Sequence, residues 1–401
     1  MKVSFLLGAG ASIPAGMPST ADITRTVLSG SGFHRHPDNR YRPGDATWSG
    51  YIRVPDLTTL LSLLQACCVC YFSEFIRGRE TNYEDLYYLA EQLYDHLCLE
   101  FENPALDGFA RNLRLKCAEL GILRHEYRFE ELLAECVRYI EDVVIALLSK
   151  QPSSLTHLPA LVAACQRTDI SRVDVFTLNH DCVLESILQQ AAPDYESGFV
   201  VRRHDVDYWD PSAFRSTQKK CRLFKLHGSI NWYSYEPDPD NPRRLLVGIP
   251  RNQDPDHTHD WSGKLQWPQN VGRPLLLVGT FNKVYGYSRH VFADIFAMFR
   301  EFIFDSPLCI ISGYGGGDKG VNQILTEWIN RCSHNRLVLI HPNPDDLFRS
   351  CRGALQKLWK DPGGSERFKV IRKPIEDADW GQIQALSSDP IRRENCLRQP
   401  H

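Results

Sequence analysis

The chain has 401 residues, 43% apolar and 24% charged, with a formal net charge of −3. That length suggests one large domain with an insertion, or two domains. The balance carries no basic footprint, so no direct nucleic-acid binding is expected, and no apolar run approaches bilayer-spanning length, so no membrane attachment is expected either.

Met1-Lys2 leads directly into a five-residue apolar strand, without the core or cleavage pattern of a signal peptide. Thirteen cysteines, an odd number scattered along the chain, fit reduced thiols and a cytoplasmic location. Residues 3–7 read as a short buried strand that runs into Gly8-Ala9-Gly10-Ala11-Ser12. Two glycines around an alanine let the backbone turn sharply and approach a pyrophosphate, with the amides of the next helix aimed at the anion. This is the phosphate end of a Rossmann-type site. A full G-x-G-x-x-G would place glycine where Ile13 stands, and a turn that needs small residues only for packing is the alternative.

Pro14 and Pro18 punctuate a loop before a helix over 21–28, which Ser19 or Thr20 can cap. Residues 29–55, rich in Gly, Pro, His, Arg and Asp, read as a long surface loop. Leu57, Leu60, Leu61, Leu64, Cys68 and Phe72 then recur at three and four, and further helical patterns follow over 83–99, about 105–120 and 128–149. The expected organisation is an all-helical insertion over 31–150 between residues 1–30 and 151–401. Cys67-Cys68-Val69-Cys70 has a spacing that can pinch a zinc ion, yet no second pair exists at ribbon spacing. Small hydrophobes on a buried helical face are the better reading, and no metal is expected.

The second half alternates strands (173–177, 199–202, 223–226, 275–278, 308–312, 336–340, 368–371) with helices (182–190, a stripe from Val291 to Phe302, 321–331, 344–358). Such alternation predicts an α/β fold, a Rossmann-like, mostly parallel sheet with helices on both faces. Residues 233–273 interrupt it as a loop or hairpin excursion.

Three polar clusters fall where an open parallel sheet places its chemistry, beyond the carboxyl ends of strands. In Thr177-Leu178-Asn179-His180-Asp181, strand alternation puts Asn179 and Asp181 on one side and His180 on the other. Capping of the next helix is the alternative use of Asn179 and Asp181. In Lys225-Leu226-His227-Gly228-Ser229-Ile230-Asn231-Trp232, His227 stands between a strand and a glycine turn, where it can face a cleft and titrate near neutrality. A packed histidine without chemistry is the alternative. From Gly313 to Asn322 a glycine-rich turn offers amides to a dinucleotide, with Asn322 on a ribose hydroxyl, or else forms a plain linker.

Taken in order, these clusters resemble the sirtuin (silent information regulator) superfamily. Sirtuins show a strand with GAG-x-S, then G-I-P, T-Q-N-x-D and L-H-G; here stand Gly8 to Ser12, Gly16-Met17-Pro18, Thr177 to Asp181 and Leu226-His227-Gly228. The chain resembles in particular the bacterial sirtuin-like effectors of anti-phage defence, through K-L-H-G-S and the late G-Y-x-x-x-D-x-x-x-N of Gly313 to Asn322. It departs from the deacylating members. Ser19-Thr20-Ala21 replaces their acidic residue, phenylalanine and arginine, Leu178 replaces a glutamine, and the four-cysteine zinc module has no counterpart.

The resemblance implies an NAD hydrolase that cleaves NAD to nicotinamide and ADP-ribose with water as acceptor and no metal. Asn179, His227 and Asp181 are the implied catalytic residues, with Gly8, Ala9, Gly10, Ser12, Thr177, Gly313 and Asn322 around the dinucleotide. Breaking this glycosidic bond needs an oriented nucleophile and charge stabilisation, which an amide and an imidazole can supply. Asn179 suits the ribose hydroxyls or the water, His227 a proton, Asp181 the carboxamide, Ser12 the phosphates or ribose, and His180 a structural role. A non-catalytic NAD or ADP-ribose sensor and an NAD-dependent protein deacylase are the competing readings. An unrestrained NADase would kill its host cell. Control is therefore expected through the helical insertion, with Tyr71, Phe72, Tyr87 and Tyr88 packing against other copies in a homo-oligomer or against a partner, or else simply covering the sheet. The resemblance offers a hexameric DNA-translocating ATPase as that partner.

Overall fold

A computed structural model describes residues 1–44, 52–75, 79–124, 127–235, 246–252, 254–260, 262–351, 353, 355–357 and 367–387. The chain forms two units, one from Met1–Met17, Pro152–Trp267 and Gly286–His401, the other from Pro18–Gln151 and Pro268–Tyr285.

The first unit is built on a six-stranded, all-parallel sheet: β1 (Lys2–Leu7), β2 (Arg172–Thr177), β3 (Cys221–Lys225), β4 (Leu308–Ser312), β5 (Arg336–Ile340) and β6 (Phe368–Ile371), in the order β6-β5-β4-β1-β2-β3. The near-continuous apolar runs follow from burial on both faces. On one face Val3, Phe5, Leu7, Val173 and Val175 pack with Leu161, Ala164 and Ile187 of flanking helices. On the other, Phe176 and Phe224 stack at 5.0 Å between centroids and meet Phe299 and Phe302 of the helix His290–Phe304. Chain order reverses between β1 and β4, so their carboxyl ends form the switch point where open α/β sheets bind ligands.

An ion pair is buried between two of these strands. Arg222 of β3 donates through Nε to Asp174 Oδ1 of β2 at 2.6 Å, and its guanidinium lies 3.8 Å from the Phe302 ring centroid. Arg172 Nε reaches the other oxygen at 2.9 Å. The strand Phe199–Arg203 does not join the parallel sheet as expected. It pairs antiparallel with Val206–Trp209 in a second sheet that also holds Leu246–Pro250 and Tyr233–Tyr235, because the two-residue turn at His204-Asp205 folds it back on its successor. The helix over 344–358 stops as a regular element at Ser350, and residue 358 lies outside the described residues, as do 236–245 of the excursion and the polar tail 388–401.

The second unit carries the helices Thr20–Ser29, Val54–Phe75, Tyr83–Leu97, Asp107–Glu119 and Phe129–Leu148. Thr20–Ser29 groups here and not with the sheet, so the division falls at residue 17 and not at 30. Its Thr24 hydroxyl accepts from Tyr83 N at 3.0 Å, and Tyr139 donates to Val27 O at 3.0 Å. Ser19 and Asp22 close a capping box at its start. The expected loop over 29–55 contains a hairpin, Phe33–Arg35 with Tyr41–Pro43, whose Tyr41 is buried and donates to Glu135 at 2.5 Å; residues 45–51 lie outside the described residues. Residues 275–278 form no strand. Arg273 pins that segment, its buried guanidinium held by Asp142 at 2.9 and 2.7 Å.

Val54–Phe75 corrects the expectation about apolar runs, since its 22 residues are long and apolar enough to cross a bilayer by length and composition. Leu57, Leu60, Leu61, Leu64, Cys68 and Phe72 are buried. Cys67 and Cys70 fall off that stripe and are exposed, and no group of three metal-ligating side chains occurs among the described residues.

Asp174→Ala strands the buried Arg222 guanidinium and is expected to lower stability by about 3–5 kcal/mol. The apolar pair Asp174→Leu with Arg222→Met should recover most of that loss. Urea denaturation followed by tryptophan fluorescence measures both, and an unshifted midpoint for Asp174→Ala would contradict a structural role for the pair.

Candidate functional site

Four strand tips lie side by side in register, Leu7 of β1 opposite Thr177 of β2 and Ser312 of β4, with Thr177 opposite Lys225 of β3. The parallel ladders continue one residue past the strands. Leu178 N donates to Leu7 O at 3.0 Å, Leu226 N to Thr177 O at 2.8 Å and Gly8 N to Ser312 O at 3.0 Å. The four loops that follow are thereby delivered to one edge.

The first loop uses several of its amides within the fold. After β1 come two short 3-10 turns, Ala9–Ala11 and Ile13–Ala15, and no α-helix begins before Thr20. Gly10 N donates to Gly313 O (3.0 Å), Ala11 N to Gly8 O (2.9 Å) and Ser12 N to Ala9 O (3.0 Å), so with Gly8 four amides are already spent. The glycines answer a different need. A Cβ on Gly8 would lie 2.6 Å from Gly313 O, one on Gly10 2.7 Å from Gly313 Cα, and one on Gly313 (φ +66°) 2.1 Å from Ala11 N. Gly8, Gly10 and Gly313 are small because two turns touch there, and Ala9 remains exposed at the tip.

The second loop starts where β2 ends, at Thr177, whose hydroxyl accepts from Asn179 N at 3.1 Å. Asn179 Nδ2 donates to Ser12 Oγ at 2.8 Å, while its Oδ1 is buried without a hydrogen-bond partner. Ser12, Thr177 and Asn179 are thus brought together, all at least 95% buried. Strand alternation does not extend past Thr177, so His180 is not turned away: its ring centroid lies 6.2 Å from that of His227, and its carbonyl accepts from Ile230 N (3.0 Å) and Ser229 Oγ (3.3 Å). Asp181 uses Oδ1 to accept from Val183 N at 3.0 Å, at the start of the helix Val183–Ala191.

The third loop follows β3. Lys225 is buried, and its ammonium donates to Asp181 O and, at 2.8 Å, to Glu185 Oε1. Burial opposes its charge, but Glu185 and its acidic neighbours outweigh that and hold the lysine pKa above its ordinary value. His227 Nε2 lies 2.7 Å from Tyr287 Oη and 3.0 Å from Asp318 Oδ2, and Tyr287 in turn donates to Asp318 Oδ2. Asn322 braces the glycine-rich turn, its Oδ1 accepting from Tyr314 at 2.7 Å and its Nδ2 donating to Gly316 O at 2.7 Å.

Sequence reasoning passed over Tyr287, Asp318 and the buried Lys225. Asp318 was legible as the acidic position of the G-Y-x-x-x-D-x-x-x-N pattern and Lys225 as the first residue of K-L-H-G-S, whereas Tyr287 precedes a helix and carries no local signal.

Residues 173–363 match a family model described as the SIR2-like domain. Asn179, Asp181, His227, Tyr287, Gly313, Asp318 and Asn322 fall within that span. No curated protein matches the chain. Among solved structures, a Sir2 homolog in complex with NAD is 11% identical, with a TM-score of 0.38 over 96% of this chain and 89% of that one. A serine-to-alanine mutant of a Sir2 homologue in complex with ADP-ribose is 10% identical, with a TM-score of 0.36 over 96% and 90%.

Gly313→Ala forces a left-handed residue and a steric overlap at the contact of the two turns, so a loss of more than about 2 kcal/mol is expected. Thermal unfolding measures it. Gly315→Ala, where a Cβ meets nothing within 4 Å, is the control and should unfold as the wild type does.

Proposed function

We propose that the protein is a sirtuin-like NAD glycohydrolase, releasing nicotinamide and ADP-ribose; the match of residues 173–363 to the SIR2-like domain model supports the sirtuin-like part. The observation that carries this reading is Asn179, its amide nitrogen fixed by Ser12 Oγ and its buried Oδ1 without a partner. Leaving such an oxygen unsatisfied costs about 1–3 kcal/mol, which a donor on a ligand recovers. A ribose hydroxyl of NAD is such a donor, and this is the fit between the site and the dinucleotide.

The chemistry needs little more. The bond between nicotinamide and the ribose C1′ breaks with its electron pair leaving on the nicotinamide nitrogen, and positive charge develops on the ribosyl centre. Water forms the new C–O bond and gives a proton to His227, for a balance of NAD and water to nicotinamide, ADP-ribose and a proton. Asp181 keeps Oδ2 for the carboxamide. Water as acceptor is supported by the missing acidic-Phe-Arg stretch and cysteine quartet of the deacylating sirtuins.

The setting belongs to the same proposal: an abortive-infection effector of anti-phage defence, acting in the cytoplasm. On Val54–Phe75, Val69, Tyr71 and Phe75 are 52%, 54% and 63% exposed, which supports self-association or docking of a hexameric DNA-translocating ATPase. Phe72 and Tyr87, expected on that surface, are buried inside the helical unit. Solution mass measurement checks this, and a strict monomer with full, constant activity would overturn it.

Incubation of the purified protein with NAD should release nicotinamide without any acylated peptide, and Asn179→Ala or His227→Ala should each slow that release by about 10²- to 10⁴-fold. Release only with an acylated peptide would establish the deacylase instead. Binding of NAD with no turnover in any assembly state would establish a sensor.

A further inference from the structure

We propose that Asp318 is a positioning residue that holds His227 in the tautomer protonated at Nε2, so that Nδ1 is the nitrogen that takes the proton; the catalytic part of this rests on His227 acting as the base. The assignment follows from counting hydrogens. Tyr287 has one hydroxyl hydrogen, and it goes to Asp318 Oδ2. His227 Nε2 therefore faces two oxygens that offer only lone pairs, Tyr287 Oη at 2.7 Å and Asp318 Oδ2 at 3.0 Å. Only an N–H on Nε2 satisfies that arrangement. A neutral imidazole protonated there has its basic lone pair on Nδ1, and once Nδ1 is protonated the imidazolium sits against a carboxylate away from solvent.

The carboxylate is itself fixed. Its other oxygen, Oδ1, accepts from Val321 N at 3.0 Å and caps the helix Lys319–Arg331, while its backbone N–H donates to Tyr314 Oη at 3.1 Å. Tyr287 is stacked on Phe296 with centroids 3.9 Å apart and planes 9° apart, and Gly320 makes room for that stack, since a Cβ there would lie 3.0 Å from Tyr287 Cε2. His227, Tyr287 and Asp318 come from three separate stretches of chain, and none can turn without breaking a bond to the other two.

Asp318→Asn separates the two duties of the side chain, because asparagine caps a helix as well as aspartate does but carries no charge. Nicotinamide release by this variant should show kcat lowered about 10²- to 10⁴-fold with KM within about twofold of wild type. Tyr287→Phe, which frees the carboxylate to rotate, should lose less. Independently of turnover, ¹⁵N-histidine spectra of the wild type, with His227 identified by the signals missing from His227→Ala, should show the form protonated at Nε2. A wild-type His227 protonated at Nδ1, or wild-type kcat in Asp318→Asn, overturns the proposal. A wild type that releases no nicotinamide sinks the hydrolase reading alone, and the spectrum still decides the tautomer.

Discussion

The contact between two backbone turns, one after β1 and one after β4, is the constraint on which the site depends. Parallel strands in register end at the same height, but side chains normally hold the loops beyond them apart. Here Gly8, Gly10 and Gly313 remove the three Cβ atoms that would intervene, and Gly10 N bonds Gly313 O directly. The ladder between the two strands therefore runs on into the loops. Ser12 is carried by the first of these turns, and its hydroxyl is what orients the Asn179 amide. Asp318 is carried by the second, and its carboxylate meets His227. One steric condition thus fixes the outer partners of both Asn179 and His227.

Between those turns the loops after β2 and β3 are tied to each other by polar groups that pay for their own burial. Lys225 would lose its charge in an apolar interior, yet Glu185 and the Asp181 carbonyl keep it an ammonium. Its bonds reach from the strand that delivers His227 to the loop and helix that follow Asn179. Ile230 N and Ser229 Oγ close the same two loops from the other side, both on the His180 carbonyl. Ground-state rigidity of this kind is what keeps an amide oxygen unpartnered, because a mobile Asn179 would rotate toward any available donor.

The parallel sheet was legible in the sequence because strands buried on both faces read as unbroken apolar runs, and five of its six strands match such runs closely. Phe199–Arg203 gives a similar short run with an entirely different partner, since pairing is a long-range property that five residues do not encode. The hairpin holding Tyr41 lay in a stretch of Gly, Pro, His and Arg with no period, and its burial depends on Glu135 and Asp142, some hundred residues away. For the site, the motif residues Ser12, Thr177, Asn179 and His227 were found because they directly follow recognisable strands. His180 was misplaced by carrying strand alternation into a loop, and Tyr287 was missed because its neighbours His227 and Asp318 are 60 and 31 positions distant.

Glycine in a strand-to-helix turn has two physical explanations, close approach of a ligand and close approach of another piece of backbone, and both demand the same missing Cβ. Sequence cannot separate them, since either selects the same residue. Hydrogen-bond accounting can. A turn awaiting an anion leaves amides open, whereas Gly8, Gly10, Ala11 and Ser12 have theirs engaged with carbonyls at 2.9–3.0 Å. The same accounting exposes the Asn179 oxygen as a buried group with nothing to accept from. Here Gly8, Gly10 and Gly313 answer the close approach of two turns, and the buried Asn179 oxygen is the group on this edge left for a donor from outside.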